Sequence, residues 1–168
     1  MPHGSSSTPA DARVVEATAA VIGVLDRDEA RALLVRHHVG RIAFAFHDRV
    51  DIEPIHYVLD GDWIYGRTSI GTKLATLTHR PWCAFEVDEV RDTFDWASVV
   101  AKGSFHVLDP LVSPDTYAHA LVHVRRLVPT LFAADDPAPH RTVLFRIHVD
   151  ELTGRIARPA SDVAAGDR

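Results

Sequence analysis

The segment Arg67-Thr68-Ser69-Ile70-Gly71-Thr72-Lys73 gathers two cations, three hydroxyls and a glycine between a strand-like run and a helix-like run. The N–H groups that open a helix lack intrahelical partners, so donors and positive charge concentrated there suit a phosphate. The same residues also suit an ordinary capped helix with two solvated charges, and the spacing of two glycines and a lysine that defines a P-loop is absent. Upstream, Pro54-Ile55-His56-Tyr57 places a proline inside a strand pattern. Proline cannot donate to the ladder, so it marks either the border of a site where a flat ligand can lie or an edge strand whose His56 and Tyr57 only pack. Trp96-Ala97-Ser98-Val99-Val100 offers the same choice between touching a ring system and sealing a core.

Other polar residues point to less. His119 and His123 have the helix spacing of a metal pair, but a buried stripe of Tyr117, Leu121, Val124 and Val128 turns them toward solvent, so no metal site is expected. The acidic stretch from Glu86 to Asp95 lacks the glycine and ligand spacing of a calcium loop and reads as solvated. No serine, histidine and acid stand in a recognisable nucleophile motif, so no catalytic residue is assigned.

The elements that must position these residues follow from periodicity. Asp26 and Glu29 have the form of a capping box, and Ala30, Leu33 and Leu34 give the following helix an apolar face that Gly40 ends. The period then changes to two: Ile42, Phe44 and Phe46 alternate with small residues, Val50 to Leu59 follows a polar turn, and Asp60-Gly61 signals a hairpin into Trp63 to Gly66. A short helix is expected from Thr68 to His79. Strands at Trp82 to Val87 and Val99 to Leu108 flank an acidic loop, a helix carries Tyr117 to Val128, and a last strand runs from Val143 to Val149. Many antiparallel strands with few helices predict a mainly β domain closed into a barrel, which removes exposed edges.

Composition bounds the rest. A chain of 168 residues, 46% apolar and 24% charged, supports one compact domain, expected over 13–159 between a disordered tail at 1–12 and a flexible tail at 160–168. The net charge of −5 and the scatter of the 18 basic residues disfavour nucleic acid as a partner. One cysteine, Cys83, sits in an apolar run as a buried inert thiol, which fits a reducing cytoplasm. No stretch reads as a secretory signal or a membrane span, and Val14 to Leu25 is too short and too polar to cross a bilayer.

Taken in order, several of these segments carry a family resemblance over about Leu25 to Pro159. They are Gly40 to Phe44, Pro54 to Tyr57, Ile64 to Thr68 with Gly71-Thr72-Lys73, Ala84 to Asp88, Trp96 with Ser98-Val99 and Gly103, and Thr153-Gly154-Arg155. The sequence resembles the flavin mononucleotide (FMN)-binding split-barrel superfamily of pyridoxamine 5′-phosphate oxidase, especially the branch of nitroimidazole-resistance reductases and uncharacterised actinobacterial proteins. The resemblance implies a split β-barrel homodimer with the isoalloxazine at the dimer interface, over the strand carrying Pro54, Ile55, His56 and Tyr57. It implies that Arg67, Thr68, Thr72 and Lys73 hold the ribityl phosphate and that Ser98 and Val99 approach the ring. The C-terminal run Gly154-Arg155-Ile156-Ala157-Arg158-Pro159 departs from the arginine-rich end of a true pyridoxamine phosphate oxidase, so oxidation of vitamin B6 is not expected. The expected function is therefore FMN-dependent electron or hydride transfer to a small organic molecule. The alternative is a non-catalytic flavin- or haem-binding module.

Overall fold

The structure is a computed structural model that describes residues 20–160, so the expected tail at 1–12 and nearly all of that at 160–168 lie outside the described residues. The elements run β1 (Ala20–Leu25), α1 (Arg27–Arg36), β2 (Val39–Phe46), β3 (Arg49–Asp60), β4 (Trp63–Thr68), α2 (Thr72–His79), β5 (Trp82–Asp92), β6 (Asp95–Val107), α3 (Pro114–Leu127) and β7 (Val143–Pro159). The expected succession of helices and strands is present, with one strand added in front.

Local chemistry explains most boundaries. The Asp26 carboxylate accepts from the Glu29 amide at 2.8 Å while Glu29 accepts from the Asp26 amide at 2.9 Å, the reciprocal pair that starts α1. The helix ends at Arg36, before Gly40, which belongs to β2 instead. Gly40 is needed for packing: a Cβ there would stand 2.2 Å from the Phe85 ring. Gly61, with φ of 57°, makes the tight turn between β3 and β4.

The acidic stretch is a correction. Rather than a loop, Glu86 to Asp95 forms the ends of β5 and β6 with a turn at Thr93-Phe94. Arginines make this possible: Arg41 pairs with Glu86 and Asp88, Arg36 with Glu89, and Arg91 with Glu89 and Asp95, so carboxylates that would repel along a strand are compensated from neighbours. None of these partners is adjacent in sequence except within the Arg91 set.

The strands form one antiparallel sheet in the order β1-β7-β4-β3-β2-β5-β6, and β6 pairs back onto β7 to close a barrel. β7 reaches 17 residues because β4 pairs with its first part, β1 with its last part and β6 with nearly all of it. Inside the barrel lie Ile42, Phe44, Ile55, Tyr57, Phe85 and Phe145, with α1 contributing Leu33 and Leu34. A second apolar cluster, including Tyr65, Ala120, Val124 and Leu144, glues α3 to the outside of the wall. This is a mainly β, antiparallel split barrel.

Candidate functional site

Strand alternation sorts the segment at β3. Ile55 and Tyr57 are buried in the barrel core, whereas Pro54 and His56 are exposed on the outer face. The Tyr57 hydroxyl donates to the Leu34 carbonyl at 2.7 Å and its ring meets Phe85 edge-on, and burial pushes its pKa well up. Its ring therefore belongs to the core, and a flat ligand lying over β3 meets Pro54 and His56. The proline sits on the stretch of β3 that pairs with β2 alone, since β4 joins β3 only from Tyr57 onward. That is the edge position a proline tolerates.

The two cations of the 67–73 segment part company. Arg67, 5% exposed, lies on β4 and donates to both carboxylate oxygens of Asp136 at 2.5 and 2.7 Å. Asp136 also accepts from the amides of Phe132 and Ala138, and these contacts, the guanidinium foremost, hold its pKa far below the usual carboxylate range. Lys73, in the first turn of α2, instead meets Glu53 of β3 at 2.7 Å, and this carboxylate is 45% exposed. The α2 N-terminus itself has Gly71 at its cap position, no side-chain hydrogen bond to its amides, and open space where a Cβ would stand. Thr72 is exposed at the first helical position, while Thr68 is buried, with its hydroxyl 3.5 Å from the Ser69 carbonyl.

The third segment enters from β6. Val99 is fully buried in the core, and the Ser98 hydroxyl donates to Glu86 at 3.0 Å. Glu86 is in turn paired with Arg41, whose backbone stands opposite Pro54. Ser98, Glu86, Arg41 and Pro54 thus run across one outer face of the sheet. Two hollows touch the expected residues. One of about 460 Å³ is lined by His56, Tyr57, Arg67, Val128, His140 and Arg141 among others. The other, about 410 Å³, lies between α2 and the end of β2, lined by Phe46, His47, Thr72 and Arg80 among others. Trp96 lines a separate hollow with Leu25, Leu33 and Arg158.

A profile of the pyridoxamine 5′-phosphate oxidase family matches residues 26–156. The chain belongs to that family. Members of its fold include an FAD-binding protein from Mesorhizobium loti, with TM-score 0.68 and 23% identity over 83% of this chain and 99% of that one. A candidate 5-nitroimidazole antibiotic resistance protein from Bacteroides thetaiotaomicron has TM-score 0.62 and 15% identity, covering 83% of this chain and 89% of that one. An FAD- and haem-binding protein from Mycobacterium smegmatis has TM-score 0.57 and 18% identity, covering 85% and 79%. No curated protein matches the sequence.

Sequence reasoning missed Glu53 and Asp136, the carboxylates that engage the two cations. Asp136-Pro137 did carry a signal, since an aspartate before proline favours a turn in which its side chain accepts neighbouring amides. Nothing local ties it to Arg67. His123 is a second correction: it is buried, at 6% exposure, while His119 is exposed as expected. The buried arc of α3 centres on Ala120 and Val124 and is wide enough to take in position 123.

Proposed function

We propose that this protein binds FMN and uses it as a homodimeric oxidoreductase acting on a small organic molecule. The observation that carries this reading is the α2 N-terminus, where uncapped amides, Thr72 and the Lys73 ammonium converge beside the open stretch of β3. That donor set fits a phosphate dianion, and the outer face of β3, with Val50, Ile52 and Pro54 exposed, fits an apolar ring. In this reading Lys73 and Thr72 hold the phosphate, Arg67 and Thr68 shape the approach to it from buried positions, and Ser98 keeps Glu86 and Arg41 in place. FMN supplies the electron or hydride transfer, and the chain supplies binding, orientation and exclusion of water.

The dimer is supported by apolar side chains that a monomer leaves in water: Val50 at 67% and Ile52 at 64% exposure on β3, and Trp82 at 56% on β5, the two strands that flank β2 in the sheet. Haem is the competing ligand, favoured by His56 and His140 on the hollow of about 460 Å³. The optical spectrum of protein purified without added cofactor separates them, with two flavin bands expected and a Soret band overturning the assignment. For FMN-loaded protein, reduction followed by electron transfer to a nitroimidazole is expected. Formation of pyridoxal 5′-phosphate from pyridoxamine 5′-phosphate and oxygen at an ordinary enzymatic rate would overturn the substrate class.

A further inference from the structure

On the outside of the barrel, Asp60 at the end of β3 meets His119 and His123 of α3, none of them among the residues assigned to the flavin. One atom from each side chain lies within 4.8 Å of the other two. The Asp60 Oδ2 atom stands 3.0 Å from His119 Nε2 and 3.6 Å from His123 Nε2.

His123 is the unusual member. Its side chain is 8% exposed, its Nδ1 is buried without any partner, and the 3.6 Å to Asp60 is too long for a hydrogen bond. Neither ring nitrogen has a hydrogen-bond partner among the described residues, and an ion would relieve this at Nε2 while Nδ1 keeps the proton. The ring is nonetheless stacked on Tyr65, with centroids 5.7 Å apart, while Nε2 faces Asp60 and His119. Tyr65 also packs on His119, at 5.5 Å, so one aromatic side chain from β4 orients both imidazoles.

The spacing suits an ion at all three ligands, whereas it allows a hydrogen bond only between His119 and Asp60. Ligand bonds of about 2.0–2.1 Å in a tetrahedral zinc site put ligand atoms about 3.3 Å from one another, and the two distances to Asp60 bracket that value. Histidines one helical turn apart supply two ligands from one rigid element, and the carboxylate comes from a second element. Two nitrogens and one oxygen favour zinc and its neighbours over calcium or magnesium.

We propose that Asp60, His119 and His123 form a binding site for a divalent transition-metal ion of the zinc type. The ion takes three protein ligands and leaves its remaining position to water on the exposed side, where His119 and Asp60 reach solvent. Bound there, it ties α3 to the turn between β3 and β4.

The experiment uses full-length protein freed of metal with a chelator and titrated with Co2+ and Zn2+. One equivalent of Co2+ per chain is expected, with the visible absorption of a nitrogen- and oxygen-ligated ion. Asp60→Asn and His119→Ala, both at exposed positions, are each expected to weaken binding at least about tenfold. Zinc at a hundredfold excess over its Kd is expected to raise the melting temperature of the parent by roughly 5 °C and to raise it less in both variants. His119→Ala that still folds and still binds one equivalent with parental affinity would overturn the proposal, because the ion would then sit elsewhere among the eleven histidines. Failure of the parent to bind either ion below about 100 μM, an affinity about a thousandfold weaker than a dedicated site needs, would also overturn it.

Discussion

Arg67 and Lys73 stand six positions apart in one short segment, and each engages a carboxylate from another part of the chain. Arg67 is enclosed, with both partners nearly inaccessible and two parallel hydrogen bonds fixing Asp136 beneath α3. Lys73 is held by one contact to a half-exposed glutamate at a helix start with no side-chain cap. Burial decides what each cation can do. A desolvated bidentate pair is expensive to open because either partner left alone is a bare buried charge, whereas an ammonium held by a single contact to a half-exposed carboxylate can exchange one oxyanion for another. Two residues that look equivalent in sequence thus end in different settings, one in a buried bidentate pair and the other in a single contact to a half-exposed carboxylate.

The largest test is on the buried pair. Arg67→Ala and Asp136→Asn are each expected to lower the melting temperature by roughly 10 °C, since each strands a buried polar partner. Calorimetry showing a change within a degree or two for both would mean that the pair is not what anchors the 129–142 connection. The Lys73→Ala variant should instead keep its stability and lose roughly tenfold to a hundredfold in affinity for FMN, with riboflavin affinity unchanged, because only FMN carries the phosphate. Equal losses for both ligands in a fluorescence titration would remove Lys73 from the phosphate site. Glu53→Gln sharpens the contrast: releasing Lys73 from its carboxylate is expected to tighten FMN by up to about fivefold. A weaker complex would show that Glu53 orients the ammonium rather than competing for it.

The smallest effect belongs to a carboxylate near the end of β5. Glu89, hydrogen-bonded by Arg36 and His37, has its pKa pushed down to about 2 from the ordinary 4.5. A depressed carboxylate stabilises the fold fully above its unfolded value and ceases to do so as pH falls through its folded one, here between about 4.5 and about 2. Glu89→Gln should therefore reduce the loss of melting temperature between pH 6 and pH 3 by roughly 1–2 °C. An unchanged difference would mean that the Arg36 contact is too solvated to matter.

Much of the barrel could be read from the sequence because its signals are local. The capping box at Asp26 and Glu29, the alternation from Ile42 to Phe46 and the glycine of the β3–β4 turn act within a few residues. β1 was missed because its sheet partner among the described residues is the far end of β7, from Leu25 opposite Gly154 to Ala20 opposite Pro159. Its exposed Val21, Ile22 and Val24 show no alternation, since one side of a barrel's outer strand sees little core. The β5–β6 ends looked like a loop for a similar reason: the arginines that neutralise their acids come mostly from α1 and β2.

By itself the sequence determined the fold class and the order of most elements, because helix starts, strand alternation and turn glycines are encoded by neighbours. Tertiary structure alone decided which of the expected site residues face outward and which are buried. Tyr57 and Val99 turned inward with the strand pleat, Arg67 was claimed by Asp136, and His123 was carried under α3 toward Asp60. The physical reason is that a side chain's charge and shape are written in the sequence, whereas its partner and its access to water depend on which distant segment the closed sheet brings against it.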